Sequence, residues 1–357
     1  MSVATEIERI QTAKETLKTK LNAKNDSEHQ ITNELISDYG NFIDSITGGT
    51  NLDDYFKSSA SGDGSDNYPG IINFIKKVKS PLTIEGTNAT YLFSYCDLEE
   101  LPQVDTSNVT DMRWMFLYNK SSMLDVSSFN TSKVTNMWRM FANSQATIIK
   151  GLNNFDTSNV TSMRGMFASS EATTLDLNNF DTSKVTDMRD MFSGSQATTL
   201  DLSSFDTSKV TDMSYMFNGS QATTLDLSNF NTSNVVDMSY MFSDSQATTL
   251  NVSNFNTSNV TDMNWMFNGS QATSLDLSSF DTSKVTNMSY MFYNCSKLET
   301  LDIRNFDFTK VTTYISMFSD VPDNCKIIVK DDTAKEWITS KFTNLTNVVT
   351  VAELETK

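Results

Sequence analysis

Side chains able to run chemistry are few and poorly matched. The chain has one histidine (His29), three widely spaced cysteines (Cys96, Cys295, Cys325) and 44 Asp and Glu. A Ser/His/Asp or Cys/His triad in the main body has no histidine to work with, and zinc clusters and a disulfide framework lack ligands and partners. Carboxylates are plentiful enough for a glycosidase, but that reaction needs a unique acid pair held in a pocket. Here the acids recur at fixed intervals, which predicts an open ladder, no enzyme activity, no cofactor and no metal site. With 27 Lys and Arg against those acids the formal net charge is −17. A phosphate-binding face needs clustered cations, so nucleic acid is not an expected partner.

The elements that must position these residues come from a repeat. The dipeptide Met-Phe recurs at Met115, Met140, Met166, Met191, Met216, Met241, Met266, Met291 and Met317, at intervals of 25 or 26 residues. In "TLDLSNF", Leu225, Leu227 and Phe230 alternate with Thr224, Asp226 and Ser228, the two-residue period of a strand. In "VTDMNWMF", Val260, Met263 and Phe267 fall at i, i+3 and i+7, the stripe of a short helix. Thr110, Thr135, Thr161, Thr186, Thr211, Thr261 and Thr286 precede those stripes and are candidate N-caps. The fold class is therefore α/β: a solenoid of about nine 25-residue strand-plus-short-helix units with a parallel sheet. Nearly all of the 19 Met and most of the 23 Phe fall in its inward columns, as core packing rather than a cofactor or metal box. The unit holding Ile148–Phe155 is one residue longer, and Gly151 there suits a bulge. The last full unit, "NCSKLETLDIRNF", is longer by one as well.

Stacking places each position in a column with about 4.8 Å between rungs. One column on the strand face is acidic: Asp125, Asp176, Asp201, Asp226, Asp276 and Asp302, with Asn251 among them. It reads either as a strip for cations or a basic partner, or as a solvated face that keeps the sheet from edgewise pairing. A second column precedes Met-Phe: Trp114, Arg139, Gly165, Asp190, Tyr215, Tyr240, Trp265, Tyr290 and Ser316, with Trp138 one position earlier. Helical geometry turns it toward solvent. Trp114, Trp138, Tyr215, Tyr240, Trp265 and Tyr290 are then a candidate recognition surface, stacking on sugars or anchoring a protein interface; the other reading is that they pack sideways on the next turn.

The unit "LDLSNFDTSKVT(D/N)MxxMF", over about residues 85–320, resembles the BspA-type leucine-rich-repeat family, seen in bacterial surface proteins and in some phage structural proteins. "MFYNCSKLETLDI" (291–303) lies nearest the usual form of that family; most other units carry Ser where Cys295 stands. The resemblance implies a leucine-rich solenoid with a parallel sheet on one face and partner contact as its role. Residues 321–357 read as its C-terminal cap: "CKIIVK" is strand-like, "DDTAKEWITSKF" is a helix with an acidic N-cap carrying Trp337 and Ile338, and "LTNVVTV" is a last strand. Residues 80–96 read as a degenerate first unit.

The N-terminal part differs. Ile7, Ile10, Leu17 and Leu21, then Ile31, Leu35, Tyr39 and Phe42, give two helical stripes within 1–47, predicting an assembly or docking segment through Ile7, Ile10, Leu17, Leu21, Leu35 and Phe42. "IQTAKETLKTKL" and "NELISDYGNFIDSI" are similar to N-terminal segments of tail and baseplate proteins of phages of Gram-positive bacteria. Residues 48–84 form a linker and N-terminal cap region, with the Gly/Ser/Asp-rich stretch 57–69. No apolar run of signal-peptide or membrane-spanning length occurs. The expectation is a non-enzymatic virion component, made in the host cytoplasm, homo-oligomeric and bound to other virion proteins through 1–47, that presents its solenoid to a host-surface glycan or protein. The other setting is a bacterial cell-surface adhesin, extracellular.

Overall fold

The computed structural model of the protein describes residues 82–84 and 87–356. The predicted N-terminal helices, with Ile7, Ile10, Leu17, Leu21, Leu35 and Phe42, and the linker at 57–69 lie outside the described residues. From residue 82 on, the chain winds as a β-solenoid of about nine turns with parallel pairing and little helix.

One face carries short strands: β1 (Leu82–Thr83), β2 (Val104–Asp105), β3 (Met123–Asp125), β4 (Ile148–Lys150), β5 (Thr224–Asp226), β6 (Thr249–Asn251), β7 (Ser274–Asp276), β8 (Thr300–Asp302), β9 (Lys326–Val329) and β10 (Val348–Thr350). Each pairs parallel with the strand one coil away and in register, Leu225 opposite Leu250 and Leu275 opposite Leu301. The longest sheet runs β7-β8-β9-β10, and a single parallel bridge, Thr174 to Thr199, serves the coils between β4 and β5. The strand alternation is as expected: Leu225, Leu227 and Phe230 are buried while Thr224 and Asp226 are exposed.

The short helices are not formed. In their place a second ladder of single parallel bridges links Asn88, Asp111, Asn136, Ser162, Asp187, Asp212, Asp237, Asp262, Asn287 and Thr313. Along Met112–Tyr118 alternate amides donate outward to the next coil, Met112 N to Asn136 O, Trp114 N to Trp138 O, Phe116 N to Met140 O, and the intervening ones close tight turns such as Met115 N to Met112 O. Two turns of isolated helix are marginal, whereas a neighbouring coil offers every second amide a partner, so the inter-coil bonds win. The i, i+3, i+7 stripe still faces inward: Val260, Met263 and Phe267 are fully buried. The threonines expected as N-caps do a different job, each amide donating to the carbonyl of the equivalent residue one coil back, as in Thr135 N to Thr110 O at 2.8 Å, Thr186 N to Thr161 O at 3.0 Å and Thr261 N to Val236 O at 3.4 Å.

The interior is a pair of aromatic files embedded in methionine. Rings following Met stack coil on coil, Phe116 to Phe141 at 5.2 Å and Phe217 to Phe242 at 5.7 Å, and the strand-side rings form a second file, Phe155 to Phe180 and Phe255 to Phe280. A fully buried side chain of this size contributes about 1.5–3 kcal/mol over an exposed one, so each coil's Met, Met, Phe and Phe form its largest favourable term.

The extra residue near Gly151 is taken up as a 3-10 turn, Leu152–Asn154, rather than as a bulge. Gly151 has φ 86°, and a Cβ there would lie 2.4 Å from the Ser127 Cα. At the C-terminal end β9, helix α1 (Asp332–Lys341), β10 and helix α2 (Val351–Glu355) close the last coil. Asp331 caps α1 by accepting from Ala334 N, Ile338 is buried, and Trp337 stacks on Phe308 at 4.2 Å.

Candidate functional site

The acidic columns are built from corners. On the strand face Asp201 Oδ1 accepts from Ser203 N at 3.0 Å and from Ser203 Oγ at 2.6 Å, and Asp125, Asp226, Asp276 and Asp302 accept from the amide two residues on. After the strand, Asp181 and Asp206 do the same with Ser183 and Ser208, and in the second ladder Asp187, Asp212, Asp237 and Asp262 accept from residues 189, 214, 239 and 264. Each is an Asx turn, which needs only a side-chain carbonyl oxygen. That is why Asn stands at 130, 136, 231, 251, 256 and 287 in the same bonds. The serine hydroxyl first and the serine amide second hold Asp125, Asp201 and Asp226 below the usual carboxylate range. Neighbours ease the repulsion as well: Asn251 Nδ2 donates to Asp226 Oδ1 at 2.9 Å, and Asp302 is buried against Arg304. Among the described residues no group of three His, Cys, Asp or Glu is placed to hold a metal ion.

The aromatic column occupies an unusual backbone position. Trp114, Arg139, Gly165, Asp190, Tyr215, Tyr240, Trp265, Tyr290 and Ser316 all have φ between 49° and 59°, and Tyr91 continues the column at 62°. Four residues further on, a second left-handed column runs Tyr95, Tyr118, Asn143, Ser169, Gly194, Gly219, Asp244, Gly269, Asn294 and Asp320. Left-handed backbone costs a residue with a Cβ roughly 1–2 kcal/mol, and the second column mostly carries the types that tolerate it, Gly, Asn and Asp. The first column mostly does not.

Its rings stack on one another. Tyr215, Tyr240, Trp265 and Tyr290 form a continuous pile with centroids 4.4, 5.6 and 4.2 Å apart and planes within 17°, and Tyr293 closes edge-on against Trp265 and Tyr290. Nearer the N-terminal end Tyr91 stacks on Trp114 at 4.9 Å and Trp114 tilts against Trp138 at 4.5 Å. All six candidate aromatics are half-buried. The inner faces of the pile are occupied by neighbouring rings, so what it offers outward is ring edges and hydroxyls. Burial first, then the neighbouring Tyr240, pushes the Tyr215 hydroxyl up.

Between the two aromatic blocks lie arginines that the sequence pattern did not single out as a group: Arg139 in the column, Arg164 and Arg189 in the position before it, where Trp138 also sits. Arg164 lies over the Trp138 ring at 5.3 Å. Burial leads the effects on two groups here, lowering the pKa of Arg164 and raising that of the Asp190 carboxyl. The recurrence of Arg two residues before Met at 113, 164 and 189 was the available signal.

Two residue types proved structural. Thr131, Thr157, Thr182, Thr207, Thr232, Thr257 and Thr282, unremarked in the sequence, are buried, and each hydroxyl donates to a main-chain carbonyl of the next coil, as Thr182 Oγ1 does to Asp206 O at 2.9 Å. The same oxygen accepts from Asp206 N at 2.8 Å. Cys295 donates to Phe267 O at 3.0 Å, and burial pushes its thiol up to about 12 and that of Cys325 up to about 11. Both stay protonated and inert at neutral pH.

Comparison with protein families finds one model, described as "Mycoplasma protein of unknown function, DUF285", matching in overlapping copies at 86–196, 142–251, 170–278, 217–330 and 245–355. The chain belongs to this family. The overlapping matches follow from the internal periodicity, since a model longer than one 25-residue coil fits at several offsets, and together they span the whole solenoid and its cap. No curated protein and no solved structure matched the chain. Among the described residues no helix is long and apolar enough to cross a membrane.

Proposed function

We propose that the protein is a non-enzymatic recognition rod, and that the face built from the first left-handed column is where it meets its partner. The observation that carries this reading is the placement of Trp and Tyr at backbone positions that disfavour them, repeated at Trp114, Tyr215, Tyr240, Trp265 and Tyr290. Strain at a position where Gly or Asn would relieve it points to a use for the side chain. Because the rings present edges and hydroxyls, a protein surface suits them better than the flat face of a sugar.

The finer assignment is a BspA-type leucine-rich-repeat module of a phage virion, in the tail, baseplate or a fibre, docked to other virion proteins through residues 1–47 and contacting the host surface. What supports it is the resemblance of the repeat unit and of the N-terminal segment. The family description, which names Mycoplasma proteins, favours a second setting, a bacterial surface adhesin using the same face.

The test is binding of fluorescently labelled full-length protein to a panel of Gram-positive cells and to wall-less bacterial cells. Tyr215→Ser with Tyr240→Ser and Trp265→Ser should abolish labelling of whichever cell binds the wild type, while the circular dichroism spectrum is kept. Undiminished labelling by the folded triple variant would sink the role given to this face. Deleting residues 1–47 should leave a folded solenoid that no longer enters its assembly.

A further inference from the structure

We propose that Arg139, Arg164 and Arg189 form a site for an oxyanion, a carboxylate, sulfate or phosphate group, received by guanidinium forks. Four of the six arginines of this acidic chain (Arg113, Arg139, Arg164, Arg189) fall in consecutive coils of one face, and they divide by how well they are satisfied. Arg113 Nε lies 3.0 and 2.9 Å from the two Asp111 oxygens, and Arg304 Nε, elsewhere on the molecule, lies 3.0 Å from both Asp302 oxygens. These are closed pairs.

The central three are open. Their nearest carboxylate oxygens are at 3.8 Å for Arg164 to Asp190, and 3.6 and 4.0 Å for Arg189 to Asp212 and Asp187. A charge-assisted hydrogen bond is about 2.7–2.9 Å, so these acids offset charge without bonding. Their other oxygens fix two of these carboxylates in turns, Asp187 Oδ1 accepting from Arg189 N and Asp212 Oδ1 from Ser214 N and Oγ. The Nε–H groups of all three arginines, and the indole N–H of Trp138, are buried without a hydrogen-bond partner. A buried donor left without a partner is costly, and more so when charged. The Arg139 side chain forms no ion pair or hydrogen bond among the described residues. Guanidinium groups this under-satisfied are matched by a planar or tetrahedral oxyanion, which each fork can take in a bidentate manner.

Gly165 gives the Arg139 side chain room to lie along the column. It lies between Arg139 and Asp190 in the column, and a Cβ placed on it would come within 3.0 Å of Arg139 Cγ and 3.4 Å of Arg139 Nε. The neighbours in the column carry side chains of their own; at Gly165 the Arg139 side chain lies across the bare backbone instead. The site lies on the same face, between the two aromatic blocks, but it rests on the unpartnered arginines and not on the role given to the stacked rings.

The experiment titrates full-length protein with sodium sulfate, inorganic phosphate, acetate and glucuronate against sodium chloride at matched ionic strength, read by calorimetry and by melting temperature. The wild type should give a saturable response to an oxyanion that chloride does not give. Arg139→Gln and Arg164→Gln should each weaken it at least tenfold, and Arg139→Lys, which keeps the charge but loses the fork, should weaken it as well. Gly165→Asp should abolish the response in a protein that still folds, because Asp190 shows that Asp accepts this conformation (φ 59° against 57°) and the new side chain displaces Arg139 and pairs with it. Tighter binding of glucuronate than of acetate assigns the anion to a saccharide, and equal binding assigns the site to the free oxyanion; both uphold it. A wild type that responds to no oxyanion beyond chloride, or folded Gln and Asp variants that bind as the wild type does, would overturn the proposal.

Discussion

Two left-handed columns run the length of this solenoid four residues apart, and they are filled on opposite principles. From Asn143 onward the later column carries only Asn, Ser, Gly and Asp, the side chains that suit a positive φ or relieve it altogether. The earlier column adopts the same φ with Trp, Tyr and Arg in seven of its ten places. Both conformations are demanded by the same tight turns between the same ladders, so backbone geometry does not account for the difference. The later column shows what this fold selects when only the turn matters. In the earlier column something else acts on the side chain, and part of it is visible: rings 4.2–5.6 Å apart recover, at about 0.5–1.5 kcal/mol per aromatic pair, much of what the conformation costs. The remainder is the outward edge of that pile, which is the basis for assigning it a partner.

The largest effect belongs to a third left-handed residue, where neither filling works. Gly151→Ala places a Cβ against the Ser127 backbone at 2.4 Å and fixes it at φ 86°, so strain and overpacking together should cost about 2–4 kcal/mol. A melting temperature close to wild type would mean that the turn at Leu152–Asn154 is free to reshape, and that positive φ constrains this fold less than the two columns imply.

The middle effects test the columns directly. Tyr240→Ala removes two stacks, on Tyr215 and Trp265, without relieving the backbone, and should cost about 1–3 kcal/mol. Tyr240→Gly removes the same stacks and also relieves roughly 1–2 kcal/mol of strain, so it should be the less damaging of the two by chemical denaturation, against the usual ranking of Ala over Gly. In the other column the order among replacements changes: Gly219→Asn should cost less than Gly219→Ala, each about 1 kcal/mol or less, because Asn tolerates the left-handed region and the space there is ordinary, with the nearest atoms 3.8 Å away. If Gly and Ala rank alike at 240, the aromatic column is not strained and the case for a selected side chain weakens.

The repeat, its period and the buried Met and Phe files were legible in the sequence because hydrophobic spacing survives any backbone that turns the same side chains inward. Val260, Met263 and Phe267 are buried whether the segment is a helix or a run of turns, so the pattern alone favoured the commoner element. What separates the two is the neighbouring coil, whose carbonyls outbid intra-segment bonds, and this information lies a full repeat away. The aromatic column is legible from its place before Met-Phe, but helical spacing gives it the wrong geometry: it faces solvent by its edges because of a left-handed turn rather than a helical angle. The arginine site was harder to see, since it depends on distances to carboxylates that one-dimensional spacing does not carry. The buried threonine column was missed for a related reason, since "DTS" reads as a polar loop until its hydroxyl is seen to join two coils.

The smallest predicted effect separates charge from conformation. Asp181, Asp206 and Asp281 sit at one corner of the coil, Asn130, Asn231 and Asn256 at the same corner of other coils, and all make the same bond to the amide two residues on. The serine hydroxyl, then the serine amide, hold the three acids below their ordinary value of 3.8. A folded-state pKa lower than the unfolded one means that the unfolded chain binds more protons, so the stabilisation is present above about pH 4 and is lost as pH falls through the lowered values. Thermal midpoints should therefore be flat from pH 8 to pH 5 and fall below pH 4. Changing all three to Asn keeps the turn and removes the titration. After solvent screening each change should be worth less than about 0.5 kcal/mol at pH 7, with the acid limb of the profile shallower than wild type. A profile unchanged by the triple substitution would place the acid sensitivity in other lowered carboxylates such as Asp125, Asp201 and Asp226, and a large loss at pH 7 would show that the negative charge itself, and not the carbonyl oxygen it shares with Asn, holds the corner.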